Sequence, residues 1–144
     1  MSIADVMSTR LVHVEPGATA LEAIRRMAEA GVGSVAVCDG SRLVGIFTER
    51  DVLRLAGEAA QLDQVRVADA MTRQVITVSA DTDLLSAARL MGERRIRHLP
   101  VVEGENLLGM IGIRDVLGAL AERLWRSRDD DARETVHELL ARRK

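Results

Sequence analysis

Shifted by 64 positions, the chain falls on itself. IADVMS (Ile3 to Ser8) lies over VADAMT (Val67 to Thr72), and the register runs without a gap to DVL (Asp51 to Leu53) over DVL (Asp115 to Leu117), with 17 of 51 aligned residues identical. A repeat of this length means that each half carries the same supersecondary unit. The whole chain has 144 residues, and below roughly 70 to 80 residues a single hydrophobic core is thin, so the two units are expected to lean on each other.

Each copy reads as strand, helix, strand, strand, helix. Leu11 to Val14 and Val75 to Val78 are short β-branched and aliphatic runs, hence strands. Pro16-Gly17 turns the chain, and Thr19-Ala20-Leu21-Glu22 has the spacing of a capping box, with Asp83 as the matching cap in the second copy. Leu21, Ile24, Met27 and Ala28, and then Leu84, Ala88 and Met91, recur at helical intervals and predict one buried face each. Gly31 to Gly33 ends the first helix. Ser34 to Cys38 and Arg42 to Phe47 flank Asp39-Gly40 as a hairpin, repeated by Leu99 to Val102 and Leu107 to Ile111 around Gly104. Short helices begin near Glu49 and near Ile113. The expected boundaries are repeats at 1–58 and 67–121, a linker at 59–66 and a helical tail at 122–144. In that tail Leu117, Leu120 and Leu124 form one stripe and Ala132, Val136, Leu139 and Leu140 a second, separated by Asp129 to Asp131 and ending in Arg142-Arg143-Lys144.

Composition narrows the function. A net charge of -2 supplies no basic field for nucleic acid, and with Phe47 and Trp125 as the only aromatics there is no stacking platform for single strands. A bound base must therefore lie between aliphatic side chains. Cys38, the one cysteine, excludes an internal disulfide and a cysteine-based zinc site and reads as a buried thiol. The first ten residues lack a signal-peptide pattern and the longest apolar run, Leu107 to Ile113, is too short for a bilayer, which leads to the expectation of a cytoplasmic protein. The histidines, His13, His98 and His137, show no metal-ligand spacing and no P-loop or Rossmann glycine pattern accompanies them, so no catalytic residue and no required metal are assigned.

The segments VMSTRLVHVEPGATALEAIRRM, GVGSVAVCDGSRLVGIFTERD, AMTRQVITVSADTDLLSAARLM and RIRHLPVVEGENLLGMIGIRD, in this order, resemble a tandem pair of cystathionine-β-synthase (CBS) domains, a Bateman module. The resemblance covers Ile3 to Leu117. It implies an α/β (α+β) fold of two β-α-β-β-α repeats packed around a pseudo-two-fold axis, here with a helical tail, and two clefts that in many members hold AMP, ADP, ATP or S-adenosylmethionine.

Within Gly45-Ile46-Phe47-Thr48-Glu49-Arg50-Asp51 the resemblance implies that Thr48 and Asp51 face such a cleft and that the Asp51 carboxylate accepts from the ribose hydroxyls. A carboxylate is an acceptor-only group with about four lone-pair positions, suited to a vicinal diol. Thr-x-x-Asp before a helix is equally a capping signal, and both roles stay open. The second copy keeps Asp115 but has Gly112 in place of the hydroxyl, a departure that weakens the second site. The family places the base against Thr72, Val75 and Ile76, with Ile96 and Pro100 nearby, for the Asp51 cleft. For the Asp115 cleft it points to Leu11, Val12 and Val32. As plain strand residues all of these also read as core. Arg97 and His98, before Leu99-Pro100, are the family's phosphate positions, whereas Arg94 and Arg95 suit a helix C-terminus.

The resulting expectation is a non-enzymatic regulatory module that senses an adenine nucleotide, AMP first, acts as a homodimer and regulates an unidentified protein partner, with no membrane or nucleic-acid role. The alternative is a ligand-free interaction module on the same fold. A nucleic-acid binder is a weaker third reading.

Overall fold

The computed structural model describes residues 1–126 and 130–142; the readings on Asp129, Arg143 and Lys144 lie outside the described residues. After a 3-10 turn at Ile3–Asp5 come β1 (His13–Val14), α1 (Ala20–Ala30), β2 (Ser34–Asp39), β3 (Arg42–Thr48), α2 (Glu49–Gly57) and α3 (Val67–Ala70). The chain continues with α4 (Leu84–Arg94), β4 (His98–Glu103), β5 (Asn106–Gly112), α5 (Ile113–Arg126) and α6 (Asp130–Ala141). The fold is the expected α/β one.

The local signals act as anticipated at most element ends. Thr19 Oγ1 accepts the Glu22 amide at 3.1 Å and starts α1, and Asp83 accepts the Leu85 amide at 3.1 Å and starts α4. Gly31 closes α1 in the left-handed region at φ 66°, where a Cβ is disfavoured; Arg95 takes the equivalent place after α4 at φ 55°. Gly40 and Gly104 turn the two hairpins with positive φ. The buried stripe of α1 is Ala20, Ala23 and Met27, with Leu21 and Ile24 half-buried and Ala28 exposed. Ala20 and Ala23 keep the first two turns of the buried face small, Met27 fills the next, and Leu21 and Ile24 flank it.

The chain divides into two compact units, and neither is a contiguous half. One gathers residues 10–76 and 104–107, the other residues 1–9, 77–103 and 108–144. In the first, β1 runs parallel to β2, with His13 opposite Ala36, and β2 runs antiparallel to β3, from Ser34 opposite Thr48 to Asp39 opposite Arg42. Its core holds Val14, Ala20, Ala23, Met27, Val35, Val37, Phe47, Leu55, Val67 and Ala70. In the second, β5 and β4 are hydrogen-bonded neighbours, and Leu84, Met91, Leu99, Val101, Ile111, Val116 and Leu120 are buried.

The strand expected at Val75 to Val78 is not formed. It is reduced to one parallel bridge, Val78 to Val101, with the Val78 amide donating to the Pro100 carbonyl at 3.1 Å. In the first copy the equivalent ladder includes an Ala36 amide donating to the Val12 carbonyl. Pro100 stands at the position of Ala36 and has no N–H to give, so the ladder stops there.

The leader of each copy docks on the body of the other. Ser8 bridges Met110 in one unit and Thr72 bridges Ile46 in the other, two pairs related by the 64-residue shift. Both docks need a glycine. A Cβ on Gly45 would lie 3.0 Å from the Thr72 carbonyl and closer still to the Met71 side chain, and one on Gly109 would lie 2.6 Å from the Ser8 carbonyl.

The tail packs on its own unit. α6 lies against α4 and α5 and buries Ala132, Thr135 and Leu139, while Leu140 is exposed and Val136 half-buried. Gly92 in α4 leaves the room: a Cβ there would come within 3.0 Å of Leu139 Cδ2.

Candidate functional site

The strand β3 delivers Thr48 to the start of α2, and the first turn of α2 carries Asp51 back beneath it. The Asp51 carboxylate accepts the Thr48 amide at 2.9 Å and the Thr48 hydroxyl at 3.3 Å, both on Oδ2. This is a full capping box, which stabilises a helix start by about 1 kcal/mol. Asp51 is 7% exposed, the only buried carboxylate among the described residues.

Counting lone pairs shows what is left for a ligand. Two positions on Oδ2 face Thr48, and the Arg54 guanidinium lies 3.5 Å from Oδ1. Oδ1 keeps acceptor capacity, and a Thr48 hydroxyl that donates to the Asp51 carboxylate and accepts the Asp51 amide in the capping box keeps one lone pair. The pair can therefore take two hydroxyl donors, one on Asp51 Oδ1 and one on Thr48 Oγ1. Arg54 was not marked by sequence reasoning. The signal was its i,i+3 spacing from Asp51, which places both on one helix face.

Other expected site residues share this unit. Thr72 exchanges two backbone hydrogen bonds with Ile46, at 2.9 and 3.0 Å, two residues before Thr48. Val32, exposed, precedes Gly33, whose carbonyl accepts the Glu49 amide at 3.0 Å, so it stands beside the start of α2. Val12, Val75 and Ile76 are half-buried, and Leu11 and Thr72 are exposed.

The equivalent turn in the other unit is looser. Asp115 is exposed and accepts the Gly112 amide at 3.4 Å. Gly112 brings no hydroxyl. Arg97 and His98 belong to this turn: the Arg97 carbonyl accepts the Ile113 amide at 2.8 Å, and a Cβ on Gly112 would lie 3.8 Å from the His98 ring and 3.5 Å from Asp115 Oδ2. Ile96 is half-buried and Pro100 buried in the same unit. One unit thus holds the stronger diol acceptor, and the other holds the cationic pair beside the weaker carboxylate.

Cys38 is buried in β2, where loss of solvation, reinforced by the negative charge of Glu15, pushes its thiol pKa up and leaves it unreactive. Among the described residues no three His, Cys, Asp or Glu side chains are placed to hold a metal, and no helix is long and apolar enough to cross a membrane.

A model of the CBS domain matches residues 3–58 and 67–122. The chain is 43% identical over 97 residues to an uncharacterised 33.4 kDa protein of Thermofilum pendens, a match covering 67% of this chain and 32% of that one. It is 34% identical over 122 residues to arabinose 5-phosphate isomerase of Yersinia pestis, covering 83% of this chain and 37% of the isomerase. The chain therefore spans only about a third of either relative. Among solved structures, a CBS domain protein from Pyrobaculum aerophilum in complex with AMP superposes with a TM-score of 0.77 at 26% identity, covering 85% of this chain and 99% of that one.

Proposed function

The chain belongs to the CBS domain family, and we propose from that premise that it is a non-enzymatic regulatory module responding to an adenine nucleotide, with AMP as the first candidate. The observation that carries this reading is the buried Asp51 carboxylate. It is held by Thr48 so that two acceptors stay available to a vicinal diol. The AMP complex of the Pyrobaculum aerophilum protein supports the choice of ligand class. Thr48 and Asp51 take the ribose, and Thr72, Val75 and Ile76 offer aliphatic and backbone contacts to the base; Leu11, Val12 and Val32, expected at the Asp115 turn, lie instead in the unit of Asp51 and serve the same base. Ile96 and Pro100, expected near the Asp51 base, lie instead in the unit of Arg97 and His98, whose donors offer the Asp115 turn its own place for phosphate. The active form is a cytoplasmic homodimer that passes the nucleotide signal to a protein partner or to a neighbouring domain of a longer chain.

Ligand-induced stabilisation tests the reading. A ligand binding only the folded state at about a hundred times its Kd adds roughly 2.7 kcal/mol. For a chain of this size that raises Tm by roughly ten degrees. Asp51→Asn removes most of the rise, since the amide turns one acceptor into a donor. Because Asp51 also caps α2, the variant's own ligand-free Tm is the baseline. No shift with AMP, ADP, ATP or S-adenosylmethionine would leave the capping box as the whole role of Asp51 and favour a ligand-free interaction module.

A further inference from the structure

Arg54 makes three contacts within its unit. Its Nη2 donates to the Ala70 carbonyl at 2.8 Å and lies 3.5 Å from Asp51 Oδ1, and its Nη1 lies 3.8 Å from Glu58 Oε1. Ala70 is the last residue of α3, where the final carbonyls of a helix have no partner within it. Two residues on, Thr72 is bonded to Ile46 of β3. One guanidinium thus joins the carboxylate of Asp51 to the segment that ends in Thr72.

The second copy lacks the whole arrangement. The residue at the position of Arg54 is Gly118 and the one at the position of Thr48 is Gly112. The two aspartates differ accordingly: Asp51 is buried with three donors around it, and Asp115 is exposed with a long contact to the Gly112 amide. Thr48 accounts for Oδ2 alone. Among the described residues Arg54 alone meets Oδ1, the oxygen left to meet a ligand.

We propose that Arg54 is the positioning residue of the Asp51 site. Anchored on the Ala70 carbonyl, it fixes the rotation of the Asp51 carboxylate so that Oδ1 and the Thr48 hydroxyl face a ribose diol together. It also ties the ribose acceptor to the Ala70–Thr72 segment. This inference rests on the nucleotide reading above and adds a residue and a mechanism to it. The guanidinium is suited to the task because it is planar and can donate to a carbonyl and a carboxylate at once, which a lysine ammonium on a flexible stem does less well.

The test compares AMP with 2′,3′-dideoxy-AMP, which lacks the diol, by titration calorimetry on wild type, Arg54→Met, Arg54→Lys, Asp51→Asn and the Arg54→Met/Asp51→Asn double variant. Arg54 is 47% exposed, so its removal leaves the core intact. Solvent screening keeps the effect modest: the preference for AMP over the dideoxy compound falls about three- to tenfold in Arg54→Met. Affinity for the dideoxy compound changes little, and Arg54→Lys recovers part of the loss. In the Asp51→Asn background, Arg54→Met changes the preference no further. An equal loss for both nucleotides would reduce Arg54 to a clamp between α2 and α3, and an unchanged preference would remove it from the site; either overturns the proposal while the nucleotide reading stands. Wild type binding neither compound overturns both.

Discussion

Thr48 and Gly112 occupy the same place in the two copies, and the difference between them is a Cβ with its hydroxyl and methyl group. At Gly112 a Cβ would meet Asp115 Oδ2 at 3.5 Å and the His98 ring at 3.8 Å, ordinary contact distances, and its φ is not in the left-handed region. Nothing in the backbone requires glycine there. Gly112→Thr should therefore rebuild the capping box on Asp115, replacing a 3.4 Å contact by an amide and a hydroxyl on one oxygen. With the conformational entropy of glycine removed as well, the variant should gain roughly 0.5 to 1 kcal/mol. Urea denaturation measures it. A loss of stability would mean that His98 or Arg97 holds the space the new side chain needs.

Among the elements, α6 shows how a helix outside the repeat is held. Its buried residues, Ala132, Thr135 and Leu139, recur at three- and four-residue intervals and face α4 and α5, while Leu140, one residue on, is 51% exposed. The Leu139 side chain sits over Gly92, where α4 has no Cβ. Leu139→Ala should accordingly cost about 2 to 3 kcal/mol through lost burial and the cavity left behind. Leu140→Ala should cost under about 0.5 kcal/mol. Chemical denaturation of the two variants side by side checks the assignment, and equal costs would show that the helix is turned from the face described. By sequence Leu120, Leu124, Val136 and Leu140 suit a contact between chains and packing on the same chain equally. Leu120 is fully buried within its own unit, and Leu140 alone of the four is exposed.

For the whole molecule, the proposed homodimer makes a measurable statement. Leu53 on α2 is 75% exposed and Trp125 on α5 is 93% exposed, large apolar side chains that a partner surface would cover. Light scattering at micromolar concentration should give twice the 15.7 kDa chain mass. Leu53→Asp should shift the mass toward the single chain without lowering the helix content, because the residue contributes little to its own unit. A monomeric mass for the wild type would refute the dimer.

The residues by themselves determined the repeat, the helix starts at Thr19 and Asp83, the glycine turns of both hairpins and the Thr48-x-x-Asp51 box. The repeat is read by laying one half on the other; the rest depend on neighbours a few positions away, where spacing and residue type are sufficient. The loss of the strand at Val75 to Val78 belongs with them in principle, since a proline at position 100 has no N–H to extend the ladder. Tertiary structure alone decided the rest. Two leaders of nearly equal sequence could each dock on either body, and no local pattern distinguishes the choices; only the chain path brings Thr72 to Ile46 and Ser8 to Met110, against glycines at 45 and 109. The Ala70 carbonyl that anchors Arg54 lies 16 residues away. Periodicity carries no information about a backbone acceptor that far along the chain, because that contact exists only once α2 and α3 have packed. The unequal setting of Asp51 and Asp115 has both causes: Gly112 and Gly118 in place of Thr48 and Arg54 are legible in the sequence, whereas the Ala70 anchor of Arg54 is not.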